Sequence, residues 1–168
     1  MKRLLLLRHA KSSRKDSTLP DHDRPLASRG RRASKAMAAH LRGHGIEPAM
    51  VLCSSATRAR QTLDGVAPGL GGSPDVRIES GLYEASAAGL LGRLQLVGDD
   101  VPCVMLVGHN PSIERLALDL ASAGPALAEL ADKFPTGALA TLEFAGPWRE
   151  LTADSARLVT FVKPRDLE

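Results

Sequence analysis

Four consecutive leucines, Leu4 to Leu7, cut off by Arg8-His9, constrain this chain more than any other feature. A strand with one wet face alternates apolar and polar residues. An uninterrupted apolar run of this length instead fits a strand buried on both faces, as in the parallel sheets of α/β proteins. In open sheets of that kind, ligands bind just beyond the carboxyl ends of the strands. Arg8 and His9 therefore stand where chemistry is usually done.

The arrangement of apolar strand, polar residues and helix occurs twice more. Met50 to Cys53 reads as a strand that runs into Ser54-Ser55, with Ala56, Ala59, Leu63 and Val66 at helical spacing after it and Arg58 among them. Val101 to Val107 reads as a strand followed by Gly108-His109-Asn110-Pro111. Pro111 suits the first turn of a helix whose buried side is Ile113, Leu116, Ala117 and Leu120. Parallel strands would bring all three junctions to one edge of the sheet, so two histidines and two arginines converge.

The remaining segments fill in the same plan. A polar loop from Ala10 to Leu26 is long for a compact domain unless it is functional. Ser28 is expected to cap a helix reaching about Arg42, Ser54-Ser55 a second, and Ser86 a third with Leu90, Leu91, Leu94 and Val97 on one stripe. Val76 to Ile78 reads as a short strand, and Ala126 to Asp132 as a short helix. Ala138 to Phe144 and Arg157 to Lys163 read as final strands forming an antiparallel edge. Alternating strands and helices imply a single α/β domain over residues 1–168, a three-layer α/β/α sandwich with a mainly parallel sheet and an antiparallel edge strand.

Composition narrows the function. With 43% hydrophobic but only 3% aromatic residues, the core is built from Leu, Val, Ala and Met. A net charge of +3 suits anionic ligands, yet there is no Lys/Arg tract and no stacking platform, so nucleic acid is not the expected partner. Cys53 and Cys103 sit in apolar runs without metal-ligand spacing and read as structural thiols in a reducing compartment. The N-terminal apolar run is too short for a signal peptide, and no segment has the length of a membrane span, so the expected location is cytoplasmic, with no membrane partner.

Two imidazoles and two guanidiniums at one sheet edge suit a phosphoryl group. Guanidiniums offer fixed forks of donors to its oxygens, and imidazole is a competent nucleophile near neutral pH. Helix N-termini after Ser55 and Asn110 would add backbone donors. No histidine–carboxylate cluster has metal-site spacing, so neither a metal nor another cofactor is expected. His22, His40 and His44 read as surface histidines.

At these residues the chain resembles the histidine phosphatase superfamily. LLLLRHAKSS is similar to its opening RHG-type motif with Ala10 in place of Gly, SSATRARQT to its second arginine motif, LYEAS to its acidic motif and VGHNPSI to its second histidine motif. DRPLASRG and FPTGALATLEF resemble the SixA-type phosphohistidine phosphatases, which lack a cap domain. The resemblance implies a phosphoglycerate mutase-like fold without a cap and a metal-independent phosphatase. His9 would be its nucleophile, Arg8, Arg58 and His109 its phosphate pocket, and Glu84 its proton donor. Arg24 and Asn110 join Arg8, Arg58 and His109 as expected substrate-binding residues, with Arg24 serving to hold a phosphoprotein or to pin the loop. The expected substrate is phosphohistidine in a protein. The alternatives are a small phosphate ester and, in another class, a non-catalytic module that binds phosphate or a phosphoprotein.

Overall fold

The computed structural model describes residues 1–168. Its seven-stranded sheet contains β1 (Lys2–Arg8), β2 (Met50–Ser54), β3 (Asp75–Glu79), β4 (Cys103–Gly108), β5 (Ala121–Ala123), β6 (Leu139–Phe144) and β7 (Ala156–Val162), in the order β3-β2-β4-β1-β6-β7-β5. The helices are α1 (Ser28–Gly43), α2 (Thr57–Val66), α3 (Ala87–Gln95), α4 (Ser112–Leu120) and α5 (Leu127–Asp132). None is long and apolar enough to cross a membrane.

The leucine run explains the layering. Successive strand residues point to opposite faces. Leu5 and Leu7 accordingly pack with Met37 and Leu41 of α1 and Ala59, Leu63 and Val66 of α2. Leu4 and Leu6 pack on the other side with Leu90 and Leu94 of α3, Leu116 of α4 and Leu130 of α5. None of the four leucines is more than 1% exposed. At about 1.5–3 kcal/mol per fully buried leucine, this strand anchors both halves of the core.

The sheet is mainly parallel, but its reversed strand is not at the edge. β6 runs antiparallel to both β1 and β7, while β5 pairs parallel with β7 and closes that side. The expected antiparallel pair is β6 and β7, and the strand the sequence does not mark is β5, Ala-Ser-Ala, which adds beyond it. Three small residues carry neither an alternation nor the β-branched side chains that mark a strand.

Helix starts also depart from the sequence reading. Ser28 lies inside the first turn of α1, and Ala27 occupies the cap without a side-chain bond. Ala56 stands at the cap of α2 and Pro111 at that of α4. Ser86 does cap α3, accepting from the Gly89 amide. At α1 a tertiary contact replaces the cap: the Lys11 carbonyl accepts the Ala27 amide at 2.9 Å.

Candidate active site

The carboxyl ends of β1, β2 and β4 meet the amino end of β6, and this junction fixes His9. Its amide donates to Gly108 O at 3.0 Å, while the Gly137 amide donates to the carbonyls of Arg8 and His9 at 3.1 and 3.0 Å. Gly137 has φ +77°, a conformation glycine adopts without strain, and a Cβ there would fall 2.9 Å from Pro164. The FPTGALA turn thus clamps the end of β1. Ala10 has no positive φ, so alanine stands there without strain. Its amide donates to Thr62 Oγ1 at 2.9 Å, and the Thr62 hydroxyl donates to Arg58 O at 2.7 Å, tying α2 to the histidine loop.

The His9 ring is 7% exposed and its Nδ1 lies 2.8 Å from the Ala10 carbonyl. A carbonyl only accepts, so Nδ1 carries the hydrogen and Nε2 keeps a lone pair. Burial pushes the ring down to about 3, aided by His109, Arg58 and Arg8 and opposed by the Ala10 bond. Near neutral pH His9 is an uncharged, oriented base.

His109 lies beside it, with ring centroids 5.1 Å apart. Burial, then Arg58, Arg8 and His22, hold His109 down to about 4, against an upward pull from Asp21. Its Nε2 is 2.7 Å from Ser54 Oγ, which already accepts the Ala56 amide. The Ser54 hydroxyl has a hydrogen to donate to Nε2, and in that tautomer the ring hydrogen sits on Nδ1. That buried Nδ1 has no partner, and neither does the buried Nε of Arg8. Buried donors without partners are costly and rare. Two of them beside a nucleophilic imidazole suit an incoming anion.

The guanidiniums are held from both sides. Arg8 Nη1 donates to Phe134 O at 2.9 Å. Arg58, in the first turn of α2, donates through Nη1 to the Asp21 carbonyl at 2.7 Å and through Nη2 to Asp21 Oδ2 at 2.9 Å. Asp21 also accepts from Arg24 Nη1 at 2.8 Å and from the Tyr83 hydroxyl. The Tyr83 bond, then Arg58 and Arg24, hold the Asp21 carboxyl well below the usual range, and the Tyr83 phenol is raised chiefly by the same bond. The aromatic rings of His22, Tyr83 and His109 follow one another, with centroids 4.7 and 5.5 Å apart.

His9, Arg8, Arg58 and His109 therefore come together, and the other three expected residues make different contacts. Arg24 is buried, and its donors go to Ser13 O, Ser12 Oγ and Asp21, so it pins the loop rather than facing a substrate. Asn110 is consumed at both ends of its amide, Nδ2 on Phe134 O at 3.0 Å and Oδ1 on the Glu114 amide at 3.2 Å. Glu84 is exposed and makes no hydrogen bond or ion pair, whereas the preceding Tyr83 turns toward Asp21. His22 is half-buried instead of exposed, with Nε2 2.8 Å from Ser55 Oγ.

Sequence reasoning missed Asp21, Ser54 and Thr62. Asp21 lies three residues before Arg24, an i,i+3 spacing that admits an ion pair. Ser54 ends β2 at the height where Gly108 ends β4, because Cys53 pairs with Val107. Nothing in the sequence around Thr62 marks its bond to Ala10. No group of three or more His, Cys, Asp or Glu side chains is placed to hold a metal ion.

A family model described as histidine phosphatase superfamily (branch 1) matches residues 4–100. An uncharacterised Mycobacterium tuberculosis protein, Rv1276c, is 40% identical over 163 residues, 95% of this chain and 100% of that protein. Among solved structures, one proposed to be the phosphohistidine phosphatase SixA of Nakamurella multipartitia is 33% identical with TM-score 0.85, covering 97% of this chain and 96% of that one. A second, proposed to be SixA of Agrobacterium tumefaciens, is 29% identical with TM-score 0.80, covering 97% and 98%.

Proposed function

The chain belongs to the histidine phosphatase superfamily, and from that premise we propose that it is a phosphatase that removes phosphate from phosphohistidine in a protein by way of a phosphorylated His9. The observation that carries this reading is the state of His9: buried, neutral, with Nδ1 tied to Ala10 and Nε2 free beside Arg8, Arg58 and His109. The likeness to the two SixA structures supports phosphohistidine as the substrate.

In the first step Nε2 of His9 bonds to phosphorus as the bond to the departing imidazole nitrogen breaks. The departing ring carries a proton on its other nitrogen and leaves neutral. His9 retains its Nδ1 hydrogen, and the positive charge it gains is spread toward the Ala10 carbonyl. Arg8, Arg58 and the Nδ1–H of His109 stabilise the phosphoryl oxygens, which is the main task of a protein in phosphoryl transfer. In the second step water bonds to phosphorus, the bond to His9 breaks, and the water proton passes to the phosphate or to solvent. No step requires a metal ion. A protonated imidazole needs no strong general acid, which accords with an exposed, unpaired Glu84.

We read residues 1–168 as one uncapped domain whose pocket stays open to a macromolecule. Cys53 and Cys103 are free thiols that burial pushes up to about 12 and about 11, which suits a cytoplasmic setting. The test is phosphate release from a phosphohistidine peptide and from a panel of sugar phosphates, with chelator present. Native protein should prefer the peptide and His9→Ala should release nothing from either. Activity in His9→Ala would refute the nucleophile, and preference for a sugar phosphate would move the substrate to a small ester. Phosphate binding without turnover would make the chain a binding module.

A further inference from the structure

Charge is distributed very unevenly along this chain. Residues 11–60 carry eleven Lys or Arg against four Asp or Glu, a net of +7, while residues 61–168 carry eight against fifteen, a net of −7. Within the basic half, Arg24 and Arg58 are paired with Asp21. Lys11, Arg14, Lys15, Arg29, Arg32 and Lys35 are all exposed, and none has an ion-pair partner.

Lys11 and the cations of α1 lie next to one another, beside the loop that follows His9. Lys11 is two residues beyond His9, and its carbonyl is so close to Gly30 that a Cβ there would lie 2.1 Å away. Lys11 therefore sits against the start of α1, while Ser12 and Ser13 pair back along Leu26 and Pro25. Arg29, Arg32 and Lys35 follow at i, i+3 and i+6, an outward stripe that extends about 9 Å from that contact. The opposite side of the helix, with Ser34, Met37, Ala38 and Leu41, is buried.

The placement works against the helix itself. Cations are unfavourable at the positive end of a helix dipole, and like charges three or four residues apart repel. The first turn of α1 contains no acid, and its cap offers no side-chain bond. A surface of this kind is relieved when an anionic partner covers it. Stacking on nucleic-acid bases is not available here: Phe134, Phe144, Phe161 and Trp148 are buried and Tyr83 is held on Asp21.

We propose that the face formed by Lys11 and the outer stripe of α1 docks an acidic surface of the phosphoprotein whose phosphohistidine enters the pocket. The inference rests on the proposed phosphohistidine reading and adds the chemistry of the partner. Electrostatic complementarity of this sort acts chiefly on encounter and on selection among partners.

The test compares two phosphohistidine peptides, one flanked by glutamates and one by lysines, together with free phosphohistidine, on native protein and on R29Q/R32Q/K35Q. Native protein should favour the glutamate peptide by about tenfold in kcat/KM and lose that preference in high salt. The variant should raise KM for the glutamate peptide about tenfold, with its kcat and its turnover of free phosphohistidine unchanged. Equal native activity on the two peptides, or an unaltered KM in the variant, would overturn the proposal. So would tighter native binding of single-stranded RNA or of phosphatidylserine vesicles than of the acidic peptide, if the variant lost it. Binding of an unphosphorylated glutamate peptide, read by fluorescence anisotropy, separates the two readings. If native protein binds it, the variant does not, and neither releases phosphate from any phosphohistidine, then the docking face stands and the proposed reaction fails.

Discussion

The neutral state of His9 is a consequence of its burial, and it has a measurable counterpart in stability. His9 and His109 are held down to about 3 and about 4 in the folded chain, whereas an unfolded histidine titrates near 6.5. Between those values the unfolded chain binds more protons. Their contribution to stability is therefore complete above about pH 6.5 and is lost as pH falls toward the folded values. Melting temperature should drop between pH 7 and pH 4.5, and His9→Asn should flatten that slope by roughly a third, because one of the three imidazoles that folding depresses, His9, His109 and His40, is gone. An unchanged slope would mean that His9 is not neutralised by folding. Asp21 offers a second test, because Tyr83 is the only tyrosine in the chain. Its phenol, raised chiefly by the bond to Asp21, should titrate above 10 by ultraviolet absorbance in native protein and return toward 10 in Asp21→Asn. The same substitution should lower kcat/KM by about tenfold, since Arg58 loses its charged partner and keeps only the bond to the main-chain carbonyl at position 21. A phenol titration that does not move would remove Asp21 from the network.

At the scale of elements, the site depends on how the Ala10–Leu26 loop is pressed against α1 and α2. Gly30→Ala would drive a methyl into the Lys11 carbonyl, and Gly69→Ala would drive one to 2.0 Å from Ala38 O at the other end of α1. Both should destabilise by about 2–3 kcal/mol, as overpacking does. Only Gly30→Ala should also reduce activity in protein that remains folded, because only that contact reaches the histidine loop. Equal activity in the two folded variants would show that the loop is not part of the catalytic support. Elements that could be read from sequence were those with a periodic signal, such as the leucine run of β1, the stripe of α4 and the Ser86 cap of α3. β5 and the start of α1 could not be read, because tertiary contacts such as the Lys11 carbonyl on the Ala27 amide rather than local side chains define them. Arg24 bonds the loop through all three guanidinium nitrogens, the second of the two roles its position suggested, and Asn110 bonds Phe134 O and the Glu114 amide.

For the whole molecule, the order β3-β2-β4-β1-β6-β7-β5 explains why residues as distant as 9, 58 and 109 converge. β1 lies between β4, which brings His109, and the reversed β6, whose leading turn supplies the Gly137 clamp. The parallel part of this plan was legible from three strand–polar–helix repeats and the antiparallel β6–β7 pair from the two closing apolar runs, whereas β5 outside them had no sequence mark. Its central consequence is that His9 presents an oriented ring nitrogen with no hydrogen-bond partner beside Arg8, Arg58 and His109. The most direct measurement is a rapid-quench reaction with a phosphohistidine peptide, followed by mapping of acid-labile phosphate on the protein. A phosphoryl group should appear on His9 before phosphate is released and be absent from His9→Ala. Release from native protein with no phosphorylated His9 at any time, or labelling of another residue in its place, would contradict the mechanism.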